Sequence, residues 1–175
     1  MTAVNGDLLR HAFDHHVWAT ATMIDACLAL PPEQLGTNAA GTYGSIRDTI
    51  RHLVDSDAIY LSAFEGGVGS GLQADAMSVE DWRAEMSRHG ERWRAVLAKD
   101  LDPAGVVVRR RSNGSESHAP AGIRLAQALV HGADHRSHLA TILTTLGVEP
   151  PDVDAWAYGE SKGLVTEVPA PSAAS

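Results

Sequence analysis

Three histidines, His131, His135 and His138, fall at i, i+4 and i+7 in the stretch from Ile123 to Leu146, whose apolar spacing predicts one long helix. At about 100° of turn per residue they share a stripe with Leu139, Ile142 and Leu146, a face that belongs against a core. An imidazole among apolar groups must satisfy two ring nitrogens, and leaving them unpaired is costly. Two chemistries meet that demand. The pair His131 and His135 has the spacing at which two rings reach one metal ion from one helix face. Alternatively, the rings bond water at a wet helix end or a neighbouring carbonyl, with no metal involved. The intervening Gly132-Ala133-Asp134 lacks the Glu that acts as general base in an HExxH zinc protease, so that reading fails. Any third ligand must come from elsewhere in the chain.

The totals narrow the setting. A chain of 175 residues, 44% hydrophobic, fits one domain with a real core. A formal charge of −8 without a long basic run argues against a nucleic-acid surface and favours a small-molecule substrate. Cys27 is the only cysteine, which excludes an intrachain disulfide and thiolate zinc clusters and suits a reducing cytoplasm. No signal-peptide pattern and no apolar stretch of membrane-spanning length is visible, so no membrane association is expected.

The elements that must position the histidines follow from periodicity and punctuation. A first helix is expected from Asp7 to Leu30, ended by Pro31-Pro32, with Leu9, Phe13, Val17, Thr20, Ile24, Cys27 and Leu28 on one face. Cys27 is therefore buried and inert in this reading. The other face carries His11, His15 and Trp18, and Trp18 is either a pocket wall or subunit contact, or it packs under a loop. Ser45 with Asp48 resembles a capping box opening a second helix to Phe64, striped by Ile46, Ile50, Leu53, Asp57, Tyr60, Leu61 and Phe64, with His52 at the edge. The glycines from 66 to 71 make a flexible loop. Ser78 caps a third helix to Lys99, where Trp82, Met86, His89, Trp93 and Leu97 read as core.

Between Pro103 and Pro120, β-prone Val106-Val107-Val108 and the turn pair Asn113-Gly114 predict a short hairpin or extended excursion. Its Arg109, Arg110 and Arg111 either solvate an edge or clamp an anion at a pocket mouth. Gly147 and Pro150-Pro151 stop the fourth helix, and a short fifth helix is expected from Asp152 to Lys162. The domain then spans 1–163, and 164–175 has the composition of a mobile tail. The fold class is all-α, a four-helix bundle with the hairpin between helices three and four.

The order of these features resembles the DinB/YfiT-like family of metal-dependent four-helix-bundle proteins. The resemblance is carried by Trp18-Ala19, by Ile50-Arg51-His52-Leu53, and by the run from Leu129 to Leu139 that holds His131, His135 and His138. It implies metal ligands at His52, His131 and His135, and it is this likeness that promotes His52. The chain departs from relatives that read His-Arg-Gly-Gln where it has His135-Arg136-Ser137-His138. His138 is thereby a spare ligand, an outer support or an acid/base catalyst. The family further implies a thiol S-transferase-like enzyme using a small thiol such as mycothiol or bacillithiol, oriented by the hairpin arginines or Trp18. The ion would be Zn, Ni or Fe, and a homodimer would be in keeping. A rival of another class is a metal- or ligand-binding stress protein without turnover that acts as a dimer.

Overall fold

A computed structural model describes residues 3–68, 72 and 76–168, with side chains from Asp7 onward. Four long helices form the bundle: α1 (Ala3–Leu28), α2 (Ile46–Phe64), α3 (Val79–Leu97) and α4 (Ala121–Thr145). A hairpin of β1 (Val106–Arg110) and β2 (Glu116–Pro120) joins α3 to α4, and a short α5 (Ala155–Ser161) follows. Each long helix packs on two others, in the spatial order α1, α3, α2, α4. α1 and α2 thus lie on one diagonal and α3 and α4 on the other, the two long connections making those crossings, while α2 and α3 are neighbours.

Local chemistry explains most boundaries. At α3 the hydroxyl of Ser78 accepts from the Asp81 amide while the Asp81 carboxylate accepts from the Ser78 amide, a complete capping box. Ser45 accepts from the Asp48 amide in the same way, but the Asp48 carboxylate turns to the Ser45 hydroxyl instead, leaving half a box. At α4, Gly147 takes φ 76°, and the Val148 amide reaches the Leu143 carbonyl at 3.0 Å, the six-to-one bond of a Schellman stop. Gly114 takes φ 80° in the hairpin turn, and the strands pair antiparallel from Val106 with Pro120 to Arg110 with Glu116.

Three expectations need correction. The first helix begins at Ala3 and stops at Leu28, before the prolines, because the chain turns there into an unexpected 3-10 helix at Pro32–Gly36. The fourth begins at Ala121, since Pro120 closes β2 and also serves as the helix N-cap. The fifth is shorter than expected because Asp154, through its bond to the Ala157 amide, sets its start. Residues 69–71 of the glycine loop and residues 169–175 of the expected tail lie outside the described residues.

The core is two apolar clusters. One gathers Met23, Ile24, Ile50, Trp82, Met86 and Ile142, and the other Phe13, Leu61, Trp93, Val96 and Leu125. Cys27 is fully buried in the first, and burial pushes its thiol up to about 12, so it is inert as expected. Among the described residues no helix is long and apolar enough to cross a membrane.

Candidate metal centre

His131 and His135 sit one turn apart on α4, and His52 faces them from α2. The three offer ligand atoms all within 4.8 Å of one another. His52 Nε2 lies 3.0 Å from His131 Nε2. Ring centroids are 5.0 Å apart for His52 and His131, 4.7 Å for His52 and His135, and 4.4 Å for His131 and His135. Ligand nitrogens around a tetrahedral ion with Zn–N bonds of about 2.0–2.1 Å stand about 3.3 Å apart, so small side-chain adjustments suffice to surround one.

The electrostatics favour the ligating form. Burial, then the neighbouring His135 and His52, push the His131 imidazole down to about 4. Burial is likewise the first cause lowering His52 and His135, with repulsion from Arg51 and from His52 and His138 respectively adding to it. All three rings are neutral near pH 7, and a neutral imidazole keeps a lone pair for a metal. A nitrogen-only set suits Zn, Ni, Fe or Cu and suits the oxygen-seeking Ca and Mg poorly.

Aromatic rings frame the centre. Tyr43, half exposed, stacks on His52 with centroids 4.1 Å apart and meets His135 edge-on at 5.2 Å. Tyr60 meets His131 edge-on at 5.5 Å. His138 Nδ1 lies 3.3 Å from His135 Nδ1 and can hold the His135 ring in place; with Asp134 the two form a further group of ligand type.

The other candidates sit elsewhere. Arg110 pairs with Glu116 at 3.1 Å and Arg111 donates to the Ser115 hydroxyl at 3.3 Å, while Arg109 Nε is buried without a hydrogen-bond partner. Among the described residues, no bond or ring contact joins these arginines to the three histidines. Trp18 packs beneath α5, its ring centroid 5.5 Å from that of Tyr158 and 6.2 Å from that of His15. It lies on the α1 face that α5 covers.

Sequence reasoning missed a buried polar layer between the two apolar clusters. Asp57 on α2 is 2% exposed and receives the Trp93 indole N–H, with its two oxygens 3.0 and 3.1 Å from Nε1. His16 Nε2 lies 3.2 Å from Asp57 Oδ1, and His16 Nδ1 lies 3.2 Å from Arg136 Nη1. A guanidinium only donates, so His16 Nδ1 is the acceptor there and the Nε2–H points at the carboxylate. His89 Nδ1 is 2.9 Å from Asp57 Oδ2 and its Nε2 3.3 Å from Glu85, ion-pair contacts that fall outside hydrogen-bond directionality. Burial alone would raise the Asp57 carboxyl, but the hydrogen bond from His16 and the close approach of the His89 imidazole hold it well below the carboxylate range. Burial pushes Arg136 down to about 10, opposed by Asp57, so it remains a cation at neutral pH. The available signal was Asp57 and His89 at core positions of their stripes, since buried charge demands partners.

The DinB family model matches residues 1–168. Among solved structures, a protein of Bacillus subtilis, YfiT, described as a "probable metal-dependent hydrolase with an unusual four-helix bundle topology", is similar with TM-score 0.64 and 14% identity. The match covers 85% of this chain and 91% of YfiT. A DinB-like protein of Bacillus cereus ATCC 10987 is similar with TM-score 0.63 and 17% identity, over 83% of this chain and 95% of that one. Among curated protein sequences, none matches.

Proposed function

Because this chain belongs to the DinB family, we propose that it is a metal-dependent enzyme in which His52, His131 and His135 hold a divalent ion and a low-molecular-weight thiol is transferred to a small electrophile. The observation that carries this reading is the convergence of three neutral imidazoles from α2 and α4. An ion held by three protein ligands retains an open position, and its charge lowers the pKa of a thiol or water bound there. The chain's own residues do the rest. His138 steadies the His135 ring through its Nδ1, and we assign to it the uptake of the thiol proton. Tyr43 and Tyr60 wall the centre and restrict water. Arg109, whose Nε has no hydrogen-bond partner in the protein, is the hairpin arginine we assign to orient the polar end of a thiol such as mycothiol or bacillithiol.

A second reading replaces the thiol by water, and it is favoured by the description of the Bacillus subtilis neighbour as a probable metal-dependent hydrolase. The deciding experiment starts from tag-free protein. Elemental analysis is expected to find about one divalent ion per chain, lost in His131→Ala. Mycothiol, bacillithiol and glutathione are then each paired with monochlorobimane and with 1-chloro-2,4-dinitrobenzene. Metal-dependent loss of free thiol, absent in His131→Ala, supports the transferase. Ester hydrolysis without added thiol supports the second reading. Bound metal with neither activity points to a binding protein, for which a homodimer seen by light scattering would be the working form. Full metal occupancy in His131→Ala overturns the centre itself.

A further inference from the structure

A cavity of about 510 Å³ opens between α1, α4 and α5, within the size range of small-molecule sites. It lies on the face of α4 opposite the three histidines: Leu129, Ala133 and Arg136 line it, whereas His131 and His135 point to α2. Leu8, Ala12 and Leu164 complete an apolar wall. The polar floor is Arg136, only 6% exposed.

Arg136 is incompletely used by the protein. Its Nη1 is committed to His16 Nδ1 at 3.2 Å and to the Thr20 hydroxyl at 3.1 Å. Among the described residues no acceptor meets Nε or Nη2, and no carboxylate pairs with the guanidinium directly. Asp57 reaches it only through the neutral ring of His16. A buried cation with donors to spare calls for an anion, and Nε with Nη2 is the edge that takes a carboxylate bidentately. The rest of the cavity calls for an apolar body. His15 donates Nε2–H to the Val153 carbonyl at 2.8 Å, which fixes the ring beside the floor with Nδ1 as an acceptor.

The neighbouring groove limits the charge of the occupant. It shares His15, Ala133 and Arg136 with the cavity and is edged by Asp152 and Asp154. Those carboxylates would repel a second negative group extended that way. We propose that this cavity is a second binding site, for a small monocarboxylic acid with an apolar body, its carboxylate on Arg136 and its chain along Leu129 and Ala133. The site does not depend on the metal centre or on the activity proposed for it.

The test is isothermal titration of the full chain with octanoate, with 1-octanol and octanedioate as the uncharged and doubly charged comparisons. Octanoate is expected to saturate one site per chain, and both comparisons to bind about tenfold or more weakly. Arg136→Met should cost a similar factor. Because Arg136 also supports His16, Ala133→Trp is the second variant: Ala133 is exposed on α4, so a large ring there fills the cavity without disturbing the polar layer. Ala133→Trp should abolish octanoate binding, whereas His131→Ala should leave it unchanged. Absence of saturable binding, equal affinity for octanol, retention in Ala133→Trp, or loss in His131→Ala would each overturn the proposal.

Discussion

Asp57 shows how far one residue can depend on its surroundings. Its position on the α2 stripe was readable, but a stripe reports burial and says nothing of what compensates a buried charge. His16, His89 and the Trp93 indole supply that compensation from α1 and α3, a three-helix convergence that local spacing cannot encode. Removing the carboxylate leaves the two imidazoles and the indole N–H buried with no anion. Asp57→Ala is expected to lower unfolding free energy by about 3–5 kcal/mol, measured by urea denaturation. A loss within the ordinary surface range would show that the layer is not a bonded unit. Cys27 offers a contrasting check: with its thiol held at about 12 in the core, it should react with a disulfide reagent only at the rate of global unfolding.

At the scale of elements, α4 presents His131 and His135 on one face and Arg136 on another, and Gly132 lets it pack closely on α1. A Cβ at residue 132 would stand 2.3 Å from His16 Cε1 and 2.5 Å from its Nδ1. The imidazole is anchored at both nitrogens, so it cannot swing aside cheaply. Gly132 therefore sets how closely α1 approaches α4, and Gly132→Ala should cost about 1–3 kcal/mol of stability, read from the urea midpoint. Because α4 must shift to relieve the clash, His131 should also be displaced from His52, with weaker metal retention at a fixed chelator concentration. Unchanged stability and unchanged retention would show that the helices have slack. The four helices, the hairpin and the Gly147 stop were legible because caps, turn pairs and apolar periods are local. His131 and His135 were legible as an i, i+4 pair. His52 was not, because an edge position gives no reason to prefer a ligand over a solvated ring, and only the family likeness singled it out. The hairpin arginines invited an anion clamp by composition alone, yet Arg110 and Arg111 are satisfied within the hairpin by Glu116 and Ser115.

Over the whole molecule, the polar layer crosses the bundle midway, with one apolar cluster on either side. Acid should act first on imidazoles outside this layer and then on Asp57 within it, and the sign follows from the direction of each shift. His131 is lowered to about 4, and His15, His52 and His135 are lowered too, with burial the first cause in each. Between those values and the unfolded value of about 6.5, the unfolded chain binds protons that the native rings refuse. Stability is thus full above about pH 6.5 and falls as pH drops toward 4. The depressed Asp57 carboxyl opens a second window: its contribution is present above the unfolded value of about 3.9 and is lost as pH falls further. Urea midpoints of metal-free protein are expected to decline in two successive stages between pH 7.5 and pH 2.5. Asp57→Asn should remove the lower stage, and His131→Asn should shallow the upper one. A divalent ion bound only to the native state adds stability at neutral pH by mass action. Protons then compete with the ion for the same lone pairs, so the upper stage should steepen when metal is present. A midpoint that stays flat from pH 7.5 to pH 4 in metal-free protein would mean that the imidazoles titrate alike in both states, and that their burial carries no electrostatic cost.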